Sequence, residues 1–72
     1  MITRTGTVTY PEAAYLRNGF RYPLAAVAGS PVEDLVAAAK AKMPPDEARW
    51  EVFAVVNNRW DCIAICLNGQ WL

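Results

Sequence analysis

Apolar residues in this chain recur with two periods, and the change from one to the other marks out its elements. Between residues 32 and 43 they fall at Val32, Leu35, Val36, Ala39 and Met43, the spacing of one stripe on an α-helix. The ends of that segment carry stop signals. Ser30-Pro31-Val32-Glu33 reads as a capping box, in which Ser30 accepts from the Glu33 N–H and Glu33 reaches back to Ser30. Pro31 takes the first helical position, where its missing N–H is harmless, and Pro44-Pro45 closes the far end. Glu33 and Asp34 in the first turn and Lys40 and Lys42 in the last complement the helix dipole. Alanines at 37, 38, 39 and 41 keep the helix narrow, so it can approach a sheet closely.

On both sides of this helix the pattern is that of strands. Residues 5–10 are rich in β-formers and Pro11 is expected to break them off. Residues 13–17 and 20–27 flank Asn18-Gly19, a pair that suits the type I′ turn of a two-residue hairpin. That turn places Tyr15, Phe20, Tyr22 and Leu24 on one face and Leu16, Arg21, Pro23 and Ala25 on the other. Pro23 cannot donate to a ladder, so its strand belongs at a sheet edge or at a bulge. Residues 46–49 are expected to form a short turn of helix. Residues 50–56 and 59–67 read as two strong strands joined at Asn57-Asn58, and Asn68-Gly69 turns the chain toward a short return at 70–72. The predicted object is one small α+β domain spanning 1–72. It is a two-layer sandwich with an antiparallel sheet in the order β-β-α-β-β and the helix, about 31–43, on one face.

The pattern contains a surplus. One helix of three turns covers only one face of such a sheet, and a solvated second face should alternate apolar with polar. Residues 52–56 and 62–67 are instead continuously apolar. Either the terminal segments fold over the second face, or it meets another protein surface. Trp50, Trp60, Trp71 and the hairpin tip with Arg17, Phe20, Arg21 and Tyr22 are the candidate partner contacts, because Trp, Tyr and Arg most often anchor interfaces.

Composition narrows the function classes. An apolar content of 54% excludes disorder, and seven basic against seven acidic residues leave no global field to draw the chain onto nucleic acid or anionic lipid. With no apolar leader and no stretch long enough to span a bilayer, a cytoplasmic location is expected, without membrane attachment. Cys62 and Cys66, if on one extended strand, stand roughly 13 Å apart, too far for a disulfide, and read as core filling. Histidine is absent, so neither a zinc site nor an activated cysteine nucleophile can be assembled from the usual parts. Glu33, Asp34, Asp46 and Glu47 read as a solvated acidic edge, and capping accounts for Gly29-Ser30-Pro31 without a bound anion. No catalytic residue, cofactor or metal is expected, and the protein is read as no enzyme.

Two resemblances bear on the partner. The compact chain, with its Ala-rich helix at 36–42 and its antiparallel hairpin, resembles in architecture the short accessory or inhibitory proteins of bacteriophages and mobile elements, including some anti-CRISPR proteins. That resemblance implies an inhibitor or accessory protein that docks on another protein. A self-associating structural or regulatory subunit, such as a homodimer, is the alternative within the same surface logic. Separately, Arg17-Asn-Gly-Phe-Arg-Tyr-Pro-Leu24 resembles the aromatic strand of RNA-recognition domains, although the chain has one helix where that family has two. This resemblance implies a single-stranded nucleic-acid binder that stacks bases on Phe20 and Tyr22 and meets phosphates with Arg17 and Arg21.

Overall fold

In the computed structural model, which describes residues 6–43 and 48–71, the strands and the helix follow the predicted order. Strands β1 (Val8–Arg17) and β2 (Phe20–Ala25) precede helix α1 (Val32–Lys42), and β3 (Trp50–Val56), β4 (Arg59–Leu67) and β5 (Gln70–Trp71) follow it. All pairings are antiparallel, and the five strands lie in the order β2-β1-β3-β4-β5. Three two-residue turns close the hairpins. Asn18-Gly19, Asn57-Asn58 and Asn68-Gly69 all hold both residues at positive φ, as a type I′ turn requires. Pro23 lies on β2, an edge strand, where a missing donor is tolerated.

The helix packs against β3 and β4 and seals one face of the sheet. Val32, Leu35, Val36 and Ala39 meet Val8, Ala13, Val52, Ala54, Val56 and Ile63 in a core that contains no buried polar residue among those described. The helix stripe is therefore the one its sequence period marked.

Four local features depart from the sequence reading. Pro11 does not end a strand: β1 runs through it, while the pairing with β3 shifts from Val8↔Val56 to Ala13↔Ala54. Residues 9–12 bulge out of the ladder, so Pro11 stands where no inter-strand N–H is needed. The Thr9 hydroxyl pins this bulge, donating to the Val55 carbonyl at 3.2 Å and accepting from the Asn58 N–H at 3.1 Å. The capping box does not form either. Pro31 is the N-cap residue, and Ser30 turns its hydroxyl back to the Val27 carbonyl at 2.6 Å, closing the preceding turn. The first helical N–H, that of Val32, is satisfied by the Gly6 carbonyl at 3.0 Å, so tertiary structure performs the task the side chain was expected to do. Of the expected turn at 46–49, Asp46 and Glu47 lie outside the described residues, and Ala48 and Arg49 are not helical.

The fourth departure is a bulge in β4. Its register with β3 shifts between Val52↔Ala64 and Phe53↔Cys62, leaving Ile63 as an extra residue. Ile63 and Ala64 are both fully buried in the helix-side core. As a consequence Cys62 and Cys66, four apart, do not share a face. Cys66 pairs with Trp50 on the helix side and is buried, while Cys62 pairs with Phe53 on the other side and is partly exposed. The expectation that both fill the core therefore holds for Cys66 alone.

Candidate docking face

The face of the sheet opposite the helix is built by strand alternation and by strand register. Leu16 stands opposite Arg21 on β2 and Glu51 on β3, and Glu51 in turn stands opposite Ile65 on β4. The next row holds Pro23, Ala14, Phe53 and Cys62, followed by Val55 and Trp60. No described element crosses this face. Gly6 is tied to the helix start, and β5 extends the sheet edge instead of folding back over it. The described residues thus leave the surplus apolar face uncovered. It is a sheet face made of Leu, Phe, Ile and Trp with few charges.

Trp60 organises its middle. The indole is 47% exposed and reaches across the sheet, so that the Arg21 guanidinium, three strands away, lies 5.5 Å over its ring. Ala14, Leu16, Arg21, Phe53 and Trp60 line a shallow cleft of about 330 Å³. Tyr10, Glu12, Val55, Asn58 and Trp60 line a neighbouring notch of about 320 Å³, and Glu12 also joins Ala14, Arg21 and Trp60 in lining a cleft of about 450 Å³. Tyr10 and Glu12 reach the notch because the β1 bulge projects them there. The charges at the far end of the face are paired, with Arg49 Nε 3.3 Å from Glu51 Oε1.

The seven sequence-nominated residues divide between the two faces. Trp60 and Arg21 come together on the open one. Trp50 is 6% exposed on the helix side, under the Arg17 guanidinium at 4.8 Å, and Tyr15 packs beside it. Trp71 is partly buried against the core, with Lys40 at 6.0 Å from its ring. Both indole N–H groups are buried without an acceptor among the described residues. Phe20 and Tyr22 project on the helix side at the β2 edge, beyond the helix. Phe20 is 68% exposed, and Tyr22 stacks on Tyr15 at 5.1 Å. Arg17, Phe20 and Tyr22 therefore share one side of the sheet, and Arg21 is on the other.

Leu16 and Arg21 were placed together by the Asn18-Gly19 turn alone. Phe53, Cys62 and Ile65 join them only through the β1–β3 and β3–β4 registers, which no local signal specifies. Tyr10 and Glu12 depend on a bulge whose only sequence trace is Pro11. Among the described residues no three His, Cys, Asp or Glu side chains gather as metal ligands, and no helix is long and apolar enough to cross a membrane. Comparisons with protein-family models, with curated proteins and with solved structures find no match for this chain.

Proposed function

We propose that this protein is a non-enzymatic docking module whose open sheet face, centred on Phe53 and Trp60, binds a protein partner. The observation that carries the reading is that face itself, lined by Leu16, Phe53, Trp60 and Ile65 and crossed by no described element. Strands about 4.8 Å apart and about 3.3 Å per residue make it roughly 20 Å by 20 Å, or about 400 Å². A patch of that size matches the largest apolar patch of an ordinary monomer, which is often functional. Two copies stacked face to face would bury only about 800 Å² together, short of the roughly 1,000 Å² of a stable interface. A different partner, able to reach past the face, is therefore favoured over a homodimer. Docking of this kind suits an inhibitor or accessory protein, which acts by occupying its partner.

Single-stranded nucleic-acid binding has less support. Its two arginines lie on opposite sides of the sheet, and both guanidinium groups already rest on tryptophan rings.

The test is site-specific photocrosslinking in the native host, with p-benzoylphenylalanine in place of Phe53 and, as control, of Ala38 on the exposed side of the helix. A heterologous protein joined at position 53 and not at 38 is the expected result. Crosslinks only between copies of this chain would favour the homodimer, and none at position 53 would refute docking.

A further inference from the structure

Ala14 makes a hollow in the open face. It shares a row with Pro23 on β2 and with Phe53 and Cys62 on β3 and β4, and Leu16 follows it on β1. Ala14 is only 4% exposed, so its methyl forms the floor and its larger neighbours form the walls. Both clefts of the face run over this floor. The one of about 330 Å³ and the one of about 450 Å³ share Ala14, Arg21 and Trp60. Small-molecule sites span roughly 300–1,000 Å³, and these shallow spaces fall at the low end of that range. They suit a single side chain of a docked protein, since interface anchors are side chains that fill pockets.

The charges of the open face cancel within the chain. Arg21 rests its guanidinium over the Trp60 ring at 5.5 Å and shares the larger cleft with Glu12, of opposite sign. At the end of the face Arg49 pairs with Glu51 at 3.3 Å. Arg59 and Asp61 stand opposite Val56 and Ala54 and belong to the helix side. No charge of the described face therefore calls for a counter-charge from outside. A charged group entering the hollow would give up its hydration without a partner to replace it, whereas an apolar group gains by leaving water.

We infer that the Ala14 hollow receives an uncharged apolar side chain, aliphatic or aromatic, from the protein that docks on the open face. The inference rests on the docking reading and specifies its partner: a surface whose contact patch is apolar, projects one anchor and brings no charge. Leu16 and Phe53 wall the anchor, and Trp60, held by Arg21, forms its third side. Association of this kind depends on area removed from water, and salt does not weaken it as it weakens charge pairing.

The test is an NMR titration of the whole protein with toluene, benzylamine and benzoate, which share one ring and differ in charge. It follows the Leu16 methyls, the Phe53 ring and the Trp60 indole N–H. Toluene should give shifts confined to these residues. Each charged analogue should bind at least about tenfold more weakly, the loss expected when a charge enters a site that offers it no partner. Ala14→Leu fills the hollow from its floor, and should abolish the toluene response and lower the position-53 crosslink at least about tenfold. If far-UV circular dichroism shows that Ala14→Leu does not fold, Leu16→Ala decides in its place, because it removes a wall and should weaken toluene several-fold. A charged analogue binding as well as toluene, shifts spread over the molecule, no response, or an unchanged response in the variants would overturn the apolar hollow. A failed titration with the position-53 crosslink intact removes the hollow and leaves docking standing. A toluene response without the crosslink removes docking, and the inference with it.

Discussion

Ile63 and Ile65 are the same residue type, two apart on β4, and in a regular strand they would share a face and contribute alike. The β4 bulge separates them. Ile63 is fully buried in the helix-side core, while Ile65 stands opposite Glu51 on the open face and is only partly buried. Ile63→Ala removes three carbons from a sealed site, about 2.4 kcal/mol of transfer free energy at about 0.8 kcal/mol per methylene. The unfilled space raises the total to about 3–4 kcal/mol. Ile65→Ala exposes no enclosed cavity and loses about half the transfer term, near 1 kcal/mol. A domain of this length has a total stability of roughly 4–11 kcal/mol, so the first variant should be marginal and the second robust. Urea denaturation followed by far-UV circular dichroism measures both. With slopes of about 1 kcal/mol per molar for so small a protein, the midpoints should fall by about 3 M and about 1 M. Losses that agree within about 0.5 kcal/mol would place both residues in one environment and refute the bulge.

Other outcomes follow from the same architecture. Trp50→Ala should cost about 3–5 kcal/mol and Trp60→Ala only about 1 kcal/mol by thermal denaturation, because one indole is core and the other is an open-face side chain held by Arg21. Gly6→Ala should destabilise by about 1–3 kcal/mol in the same assay. Gly6 holds φ at +140°, and a Cβ there would stand 3.3 Å from Val56 Cγ1. Asn58→Gly should raise the urea midpoint by about 0.5 kcal/mol equivalent, since Asn58 holds a φ of 65° that glycine adopts without strain and its N–H to Thr9 is retained. Under native conditions iodoacetamide should label Cys62 well before Cys66, as read by peptide mass mapping; equal rates would contradict their placement on opposite faces.

What could be read from the sequence was what short-range chemistry encodes. The Asn-Gly and Asn-Asn pairs announced their turns because few other residues tolerate two successive positive φ values. The helix stripe announced itself because one period fits Val32, Leu35, Val36 and Ala39. The surplus apolar face was legible for a related reason, as an apolar run too long for one covered side. Long-range pairing was not legible. The Gly6 carbonyl satisfies the helix start in place of Ser30, and Pro11 falls within a bulge, both because β1 lies alongside β3 and the helix N-terminus. The opposite faces of Trp50 and Trp60 follow instead from local parity: Val55, five residues after Trp50, pairs with Trp60 across the Asn57-Asn58 turn, while the β4 bulge at Ile63 lies beyond both.

The pairing of β1 with β3 also sets the pace at which this chain can assemble. The hairpins of β1 with β2 and of β3 with β4 close through two-residue turns, events of about 1–10 μs. The central seam instead joins Arg17 to Trp50 and Val8 to Val56, 33 and 48 residues apart, and cannot form until the helix and its connections have folded back. Closing such a span carries an entropic barrier that no contact offsets until it is crossed, so it is the natural rate-limiting step. Until the seam forms, the inner edges of β1 and β3 have no partner strand. Afterwards both are interior, and the open face is assembled in the same event, since its Leu16 and Phe53 come from opposite sides of the seam. The proposed docking surface would thus report complete folding: a partner recognising it would meet only chains whose two halves have already met.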